Sequence, residues 1–201
     1  LGFTEVHTDN VRNWISDLMD EGRKATSVNR KLSSLRSFYR FLLRKNWITV
    51  NPMLKIVGPK KKKPLPSFVR EKDMNRLLDG LSFGEGFVGV RDRTILEMFY
   101  ATGMRLSELI GLDDVDVDFS AKLIKVTGKR NKQRLIPFAN ELEHDLRVYI
   151  KVRDEALPNG SDAFFVRKDG KRMYPMQVYR LVKRNLSKVV SLKKRSPHVL
   201  R

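Results

Sequence analysis

The stretch 101-ATGMRLSELIGLDDVDVDFSAKLIKVTGKRNKQRLIPF-138 changes its periodicity halfway along, and this change indicates how the chain folds. Its first part continues an amphipathic pattern that starts near Val90 and breaks near Gly103, which is typical of helix. Its second part alternates apolar residues imperfectly with lysines on either side of the turn-forming run TGKRNKQ, which predicts a β-hairpin with a basic tip. We therefore expect a mainly α-helical protein with a small antiparallel β-sheet.

Helical patterns flank this stretch on both sides. Upstream, Thr8 can cap a helix that stops at Gly22, a longer helix runs from about Thr26 to Lys45, and another helical segment begins after Ser67. Downstream, the predicted elements are a helix, a short strand with a turn, and a second helix, over 141-ELEHDLRVYIKVRDEAL-157, 162-DAFFVRKDGKRM-173 and 174-YPMQVYRLVKRNLSKVV-190.

The segment 57-VGPKKKKPLPS-67 divides these helices into two groups. Its prolines, its glycine and its lysine run are typical of a linker and not of a core element. We therefore expect a helical domain over residues 1–57, a basic linker over 58–66, and a larger, mixed but mostly helical domain over 67–201.

Positive charge is the strongest feature of the composition. Lys and Arg total 41 and Asp and Glu total 23, which gives a formal net charge of +18 and an isoelectric point near 10.3. Such a balance indicates a polyanionic partner, most often nucleic acid, although a merely basic and soluble surface is the plainer alternative. The chain has no cysteine, which excludes disulfides and thiolate metal sites. No apolar run approaches the roughly 20 residues that a membrane span needs.

Two groups of basic residues are candidates for phosphate contact. Arg36, Arg40 and Arg44 form a stripe in steps of four along one predicted helix, next to Ser33 and Ser37. Lys60, Lys61, Lys62 and Lys63 lie in the linker, where a chain joining two basic domains would cross a DNA backbone. Both groups are also compatible with an ordinary solvated surface.

Three short motifs place phosphate-binding residue types in a fixed order. Arg105 lies in ATGMRLSELIGL, and Lys129 lies at the hairpin tip in VTGKRNKQRLIPF, 24 residues later. The motif 196-SPHVLR-201 reads as the start of a helix, with Ser196 as the N-cap and Pro197 at the first position. His198, 93 residues after Arg105, and Arg201 then share one helix face.

In this order and spacing, the three motifs resemble the catalytic domain of the tyrosine recombinase (phage integrase) family, closest to its Xer-type members. The upstream stretch 25-ATSVNRKLSSLRSFYRFLLRKNWITVNP-52 resembles the core-binding, SAM-like domain of that family. The resemblance covers nearly the whole chain. It implies a cytoplasmic, nucleoid-associated bacterial protein that closes around duplex DNA and performs site-specific recombination.

The resemblance also implies roles for four catalytic residues. Arg105 and Arg201 match the two arginines that grip the scissile phosphate, Lys129 matches a lysine that acts as general acid, and His198 matches a histidine that contacts the phosphate or assists proton transfer. Guanidinium forks suit phosphate because they stay charged and donate in a fixed geometry. Glu108 either orients Arg105 or is an ordinary i,i+3 partner. Arg130 and Lys132 at the hairpin tip are candidates for DNA contact.

The nucleophilic tyrosine of the family has no counterpart in these residues. The tyrosines present, Tyr39, Tyr100, Tyr149, Tyr174 and Tyr179, all lie upstream of the place where the nucleophile is expected. We therefore expect the nucleophile beyond Arg201, a core-binding domain that is incomplete at its start, and no cleavage by these 201 residues alone. Through a further C-terminal segment, the intact protein would assemble as a homo- or hetero-tetramer on DNA. The chemistry needs no metal and no small-molecule cofactor.

Three alternatives stay open. A type IB topoisomerase uses a tyrosine, arginines and a lysine in related chemistry, and a non-catalytic DNA-binding relative would keep the fold without the tyrosine. The acidic run from Asp113 to Asp118 has a spacing that could serve a Mg²⁺ site, although solvated acids in a connecting segment explain it better. There is no P-loop and no Ser-His-Asp order.

The net charge generates the first testable prediction. Affinity for duplex DNA should fall by orders of magnitude between low and moderate salt, because each phosphate contact releases counterions. A titration of labelled duplex at several salt concentrations measures this slope. An affinity that does not respond to salt would contradict a nucleic-acid partner.

Overall fold

The structure is a computed structural model that describes residues 2–61, 68–189 and 196–200. The chain divides into two compact units, Leu1–Leu65 and Pro66–Arg201. Each unit has its own hydrophobic core. No helix in the described ranges is long and apolar enough to cross a membrane.

The first unit is built on two helices, α1 (Thr8–Asp20) and α2 (Ala25–Arg44). Between them, Gly22 adopts a left-handed φ of 74° and its N–H donates to the Met19 carbonyl, which ends α1 where the sequence predicts. Thr8 is the first helical residue and not the cap. Its hydroxyl donates to the Pro52 carbonyl at 3.1 Å, so it ties α1 to the segment after α2.

The segment that follows α2 packs back on the two helices. Met53 and Ile56 join the core of this unit, which is formed by Val11, Leu18, Val28, Leu32, Tyr39, Leu42, Met53 and Ile56. Asn29 on α2 donates to the Pro59 carbonyl at 2.8 Å, and a Cβ at Gly58 would clash with the Asn29 side chain at 2.3 Å. The first two residues of the predicted linker therefore lie against α2. Lys62 and Lys63 lie outside the described residues.

The second unit combines helices with one small sheet. Its helices are α3 (Glu71–Gly80), α4 (Gly86–Thr102), α5 (Leu106–Ile110), α6 (Asn140–Ala156) and α7 (Pro175–Val189). Its antiparallel strands are β1 (Val117–Asp118), β2 (Leu123–Thr127) and β3 (Gln133–Pro137), in the order β1-β2-β3. Single 3-10 turns cover Asp114–Asp116, Lys129–Asn131 and Pro197–Val199.

Strands β2 and β3 form the predicted hairpin. Ile124 pairs with Ile136, and Val126 pairs with Arg134. Directly opposed residues share one face of an antiparallel pair, so Arg134 lies on the same face as the buried Val126. The 162–173 stretch makes only single bridges, Asp113 to Ala163 and Val166 to Arg172, where the sequence predicts a short strand.

Helix α4 is the centre of the second unit and packs along α6. The sequence predicts an amphipathic helix here, but α4 is buried on most of its surface, including Arg91, Asp92 and Thr94. Asp92 accepts hydrogen bonds from Arg91 at 2.7 Å and from Arg184 on α7 at 3.0 Å. Arg91 also donates to the Val166 carbonyl at 3.1 Å. These partners satisfy the charges, so the helix can be surrounded by protein.

The acidic run before β1 is held by basic partners. Asp114 accepts both Nη atoms of the buried Arg153 at 2.6 and 2.8 Å, and Asp116 pairs with Lys125 at 3.0 Å. Asp113 pairs with Arg172. These carboxylates fasten the start of the sheet to α6 and to the 162–173 stretch. The predicted fold class is confirmed: a mainly α-helical chain with a small three-stranded antiparallel sheet.

Two carboxyl groups meet at one arginine between α4 and α6. Arg93 Nη1 lies 2.5 Å from Asp145 Oδ2 and 3.5 Å from Glu97 Oε2, and both acidic side chains are 14% exposed. Burial, together with a hydrogen bond shared with Asp145, raises the pKa of Glu97 from 4.5 to about 8. Glu97 therefore keeps its proton to a higher pH than an ordinary carboxyl group does.

This pair generates a prediction about stability. A raised carboxyl pKa stabilises the folded state most below about pH 4.5, and this contribution declines as pH rises towards about 8. Glu97→Gln carries no titrating proton and should remove part of that decline. We expect its melting temperature at pH 8 to exceed that of the wild type by a few degrees, since about 1 kcal/mol corresponds to roughly 2–4 °C.

Thermal unfolding at pH 5 and pH 8 tests this expectation, with Glu155→Gln on the exposed end of α6 as the matched control. Two results would contradict the raised pKa of Glu97. One is a wild type that is equally stable at pH 5 and pH 8, and the other is a Glu97→Gln variant whose stability changes with pH as much as that of the wild type.

Candidate active site

Arg105 is the N-cap of helix α5 and follows a sharp break in the chain. Gly103 ends α4 with a left-handed φ of 59°, and its N–H donates to the Phe99 carbonyl at 3.0 Å. Met104 is then buried, and Arg105 takes the extended N-cap conformation with φ −81° and ψ 154°. The turn anchors the backbone on one side and leaves the Arg105 side chain 49% exposed.

Glu108 connects the elements of the site. Its side chain is fully buried, and each carboxylate oxygen accepts two hydrogen bonds. Oε1 accepts Arg105 Nη1 at 2.7 Å and Arg134 Nη1 at 2.6 Å, and Oε2 accepts the Arg105 backbone N–H at 2.7 Å and Arg134 Nη2 at 2.9 Å. The carboxylate therefore joins the start of α5 to strand β3.

The ionisation of Glu108 follows from these bonds. Burial alone would raise its pKa, but the hydrogen bonds from Arg134 and from Arg105 outweigh burial and lower the pKa to about 2. The same pairing raises the pKa of Arg134 above its ordinary value. Glu108 is thus a carboxylate at any physiological pH.

Lys129 lies at the tip of the hairpin, as predicted. The tip is closed by a hydrogen bond from the Gly128 N–H to the Lys132 carbonyl at 2.8 Å. Arg130 and Asn131 both have left-handed φ angles, 62° and 57°, so the tip is a tight reversal. Lys129 is exposed, and in the described part of the chain it makes no ion pair with a carboxylate.

His198 is exposed on a short turn that is anchored by its neighbours. Pro197, Val199 and Leu200 are buried, and the Val199 carbonyl accepts the Val69 N–H at 3.1 Å. The sequence predicts the start of a helix here, and the structure shows a single 3-10 turn, Pro197–Val199. Arg201 lies outside the described residues.

The elements that carry these residues share neighbours. Helix α5 packs on β2 and on α7, and the 3-10 turn with His198 also packs on α7. Arg105 and the base of the Lys129 tip lie close together, since a Cβ at Gly128 would lie 3.2 Å from Glu108 Oε1 and 3.9 Å from Arg105 Nη1.

The predicted DNA-contact residues differ in their surroundings. Arg36 is half-buried and donates to the Ile56 carbonyl at 2.8 Å, so part of its guanidinium serves the fold of the first unit. The others that the structure describes are exposed: Arg40, Arg44, Lys60, Lys61, Arg130 and Lys132.

The motifs do not point to Arg134, the second partner of Glu108. Its signal is its position in the strand: it lies opposite the buried Val126, while the neighbouring Leu135 is 60% exposed. The Arg134 side chain is itself 40% exposed, and a guanidinium beside buried apolar residues favours a partner of opposite sign. Glu108 is that partner.

Comparison with known proteins identifies the family. The model of the phage integrase family matches residues 67–201, and the model of the phage integrase N-terminal SAM-like domain matches residues 1–46. The chain belongs to the phage integrase family.

Curated relatives are consistent with this assignment. Tyrosine recombinase XerC of Chlorobaculum tepidum is 37% identical over 98% of the chain, and the chain spans 65% of that protein. Tyrosine recombinase XerC of Staphylococcus carnosus is 42% identical over 71% of the chain, which covers 48% of that relative.

Solved structures share the fold at lower identity. The XerH site-specific recombinase bound to palindromic difH substrate has a TM-score of 0.80 at 19% identity, over 98% of this chain and 60% of XerH. The Tn1549 transposon integrase in complex with circular intermediate DNA has a TM-score of 0.76 at 21% identity, over 100% of this chain and 71% of the integrase chain.

The Glu108 cluster generates a prediction about acid stability. Because its pKa is lowered, Glu108 stabilises the folded state at pH values above 4.5, the ordinary pKa of a glutamate. This contribution is lost as the pH falls towards 2. Glu108→Gln should lower stability at pH 7 by about 1–3 kcal/mol, because two guanidinium groups lose their buried charged partner.

Denaturant unfolding from pH 7 down to pH 3 measures this effect, with Glu141→Gln on the exposed first turn of α6 as the control. The difference between Glu108→Gln and the wild type should shrink as the pH falls. Equal stability of the two proteins at pH 7 would show that the Glu108 charge does not contribute to the stability of the fold.

Proposed function

We propose that this chain is the DNA-binding and phosphate-activating part of a site-specific recombinase that cuts and rejoins DNA through a 3′-phosphotyrosine. The attacking tyrosine comes from outside the 201 residues. One observation carries the proposal: the buried Glu108 holds the exposed Arg105 and the strand that leads to the exposed Lys129 on a single ion-paired cluster.

Arg105 stabilises the charge that develops on the phosphate. Glu108 engages Nη1 of the guanidinium, and the rest of the half-exposed group is available to the non-bridging oxygens of a scissile phosphate. A donor that is already held in place costs no reorganisation when the pentacovalent transition state forms. We assign the second phosphate-binding arginine to Arg201.

Lys129 and His198 serve the proton transfers. The tyrosine oxygen forms a bond to phosphorus, and the bond from phosphorus to the 5′ oxygen breaks. That oxygen leaves easily only if it is protonated as it departs, and we assign this general-acid step to Lys129. His198 contacts the phosphate or assists in moving the proton.

The bond energy is conserved in the phosphotyrosine link. Attack by the 5′ hydroxyl of another strand reverses the same steps, so rejoining needs no ATP. No step assigned to these residues uses a metal ion or a small-molecule cofactor, because guanidinium groups supply the positive charge.

Duplex DNA is the partner that we propose for both units. The net charge of +18 supports it, as do the exposed Arg40, Arg44, Lys60 and Lys61 in the first unit and Arg130 and Lys132 in the second. Relatives named tyrosine recombinase, and structural neighbours solved with DNA, support the same partner. We further propose that the intact protein works as a tetramer on two duplexes in the bacterial cytoplasm.

Covalent trapping on a nicked duplex tests this function. The intact protein that carries these residues should form a slowly migrating protein–DNA adduct, and the 201-residue chain alone should bind the duplex without forming it. Arg105→Ala in the intact protein should reduce adduct formation by roughly 10²–10³-fold while leaving DNA affinity largely unchanged.

Arg76→Ala, which removes an exposed arginine from α3, is the matched control. Tight, salt-sensitive binding without any adduct would indicate a non-catalytic DNA-binding relative. Relaxation of supercoils without exchange between two sites would indicate a topoisomerase. Adduct formation by Arg105→Ala at the wild-type rate would remove Arg105 from the site.

A further inference from the structure

The Arg134–Glu108 contact spans 26 residues and joins two elements that carry different functional groups. Arg134 is on β3, next to the tip with Lys129, and Glu108 is on α5, one turn after Arg105. The contact is two-pronged, with Nη1 to Oε1 at 2.6 Å and Nη2 to Oε2 at 2.9 Å. A fork of this kind fixes orientation as well as distance.

The hairpin tip has few other ties to α5. The hydrogen bond from Gly128 to Lys132 is internal to the tip, and all of Lys129, Arg130, Asn131, Lys132 and Gln133 are exposed. Within the described residues, the Arg134–Glu108 pair is the one ion pair that connects the hairpin to α5. The remaining ion pairs of the sheet lead elsewhere, from Lys125 to Asp116 and from Lys122 to Glu143.

Gly128 shows how close this connection lies to Lys129. Only 3.2 Å separates the position of a Cβ at Gly128 from Glu108 Oε1, so the residue before Lys129 is packed against the carboxylate. The carboxylate that the Arg134 fork holds therefore lies next to the backbone of the tip. The charge of Arg134 is matched by a buried carboxylate, which gives its guanidinium a structural task in joining β3 to α5.

We propose that Arg134 is a positioning residue, which acts through Glu108 to hold the tip and Lys129 in register with Arg105. This inference rests on the proposed function and adds a residue to it. The general acid must meet the 5′ oxygen of the same phosphate that Arg105 holds, so the two elements must keep a fixed separation. A displacement of about 1 Å at such a site can reduce the rate by roughly 10²-fold.

Arg134→Lys is the most informative variant, because it keeps the positive charge but replaces the planar fork with a single point of contact. Arg134→Gln removes the charge and serves as the second variant. Arg147→Lys is the matched control, since Arg147 is an exposed arginine that pairs with Glu143 at 2.9 Å on α6.

Two cleavage substrates separate positioning of the acid from binding of the phosphate. The first is the ordinary nicked duplex. The second carries sulfur in place of the bridging 5′ oxygen, and a thiolate leaves without needing a proton. In the intact protein, Arg134→Lys should cleave the ordinary substrate about 10²-fold more slowly than the wild type and the sulfur substrate within about threefold of it. Lys129→Ala should behave in the same way, and Arg105→Ala should be slow on both substrates.

The outcomes distinguish the two proposals. If the wild type forms no adduct on either substrate, the proposed function is wrong. Suppose that the wild type cleaves both substrates. If Arg134→Lys is then slowed equally on both, or is slowed on neither, the positioning role is wrong. Arg147→Lys should match the wild type on both.

A second measurement uses the 201-residue chain and does not depend on cleavage. Amide hydrogen exchange at Gly128 should be about tenfold faster in both Arg134 variants. The melting temperature of Arg134→Lys should stay close to that of the wild type, because a positive charge remains beside Glu108. Arg134→Gln should melt at a lower temperature, because it leaves the buried Glu108 with one guanidinium partner. Unchanged exchange at Gly128 in both variants, or a melting temperature of Arg134→Lys that falls in proportion to its faster exchange, would overturn the proposal.

Discussion

The second unit depends on one buried carboxylate. Glu108 has no exposure to solvent, and an unpaired charge in such a place would be strongly destabilising. Four hydrogen bonds, three of them from guanidinium nitrogens, make the charge tolerable and at the same time connect a helix start to a strand. The ion pair is therefore a constraint on geometry more than a source of net stability, because desolvation offsets most of the attraction. Glu108 fixes one edge of the Arg105 guanidinium, and the Arg134 fork sets the distance between the hairpin and α5.

The surrounding fold supports this cluster from three directions. Gly103 ends α4 and lets the chain reverse, so that Arg105 can take the extended conformation of an N-cap. The buried Ile124 and Val126 fix the register of the hairpin, which sets Arg134 on the inward face. Helix α7 packs both on α5 and on the turn that carries His198. The end of α4, the register of the hairpin and the packing of α7 together determine where the polar cluster lies.

Local signals in the sequence were sufficient for much of this architecture. Gly22 and Gly103 end helices as predicted, since a left-handed residue at a helix end is a local requirement. The hairpin followed from alternation around a turn, and its tip carries Lys129 as expected. What the sequence did not provide depends on partners far along the chain. Helix α4 buries Arg91 and Asp92 because Val166 and Arg184 satisfy them, and the two-residue strand Val117–Asp118 exists because β2 pairs with it. Arg134 was missed for the same reason: its importance comes from a carboxylate 26 residues away. The catalytic and DNA-contact roles stay predictions, and Arg201 lies outside the described residues.

The distribution of charge separates two kinds of arginine. Most of the basic residues with a structural task are matched by a carboxylate that is itself buried or half-buried, as Arg91 is by Asp92, Arg93 by Asp145 and Arg134 by Glu108. The negative charge of such acids neutralises a nearby guanidinium inside the protein. It therefore contributes little to the electrostatic potential at the surface. The exposed cations, among them Arg40, Arg44, Lys60, Lys61 and Lys129, consequently dominate the field outside the protein, where the net charge of +18 is expressed. Arg105 belongs to both groups, because Glu108 fixes one edge of its guanidinium and leaves the group half-exposed. The phosphate-binding role that we propose for Arg105 needs both properties: a buried anchor that holds its direction, and free donors that face the ligand.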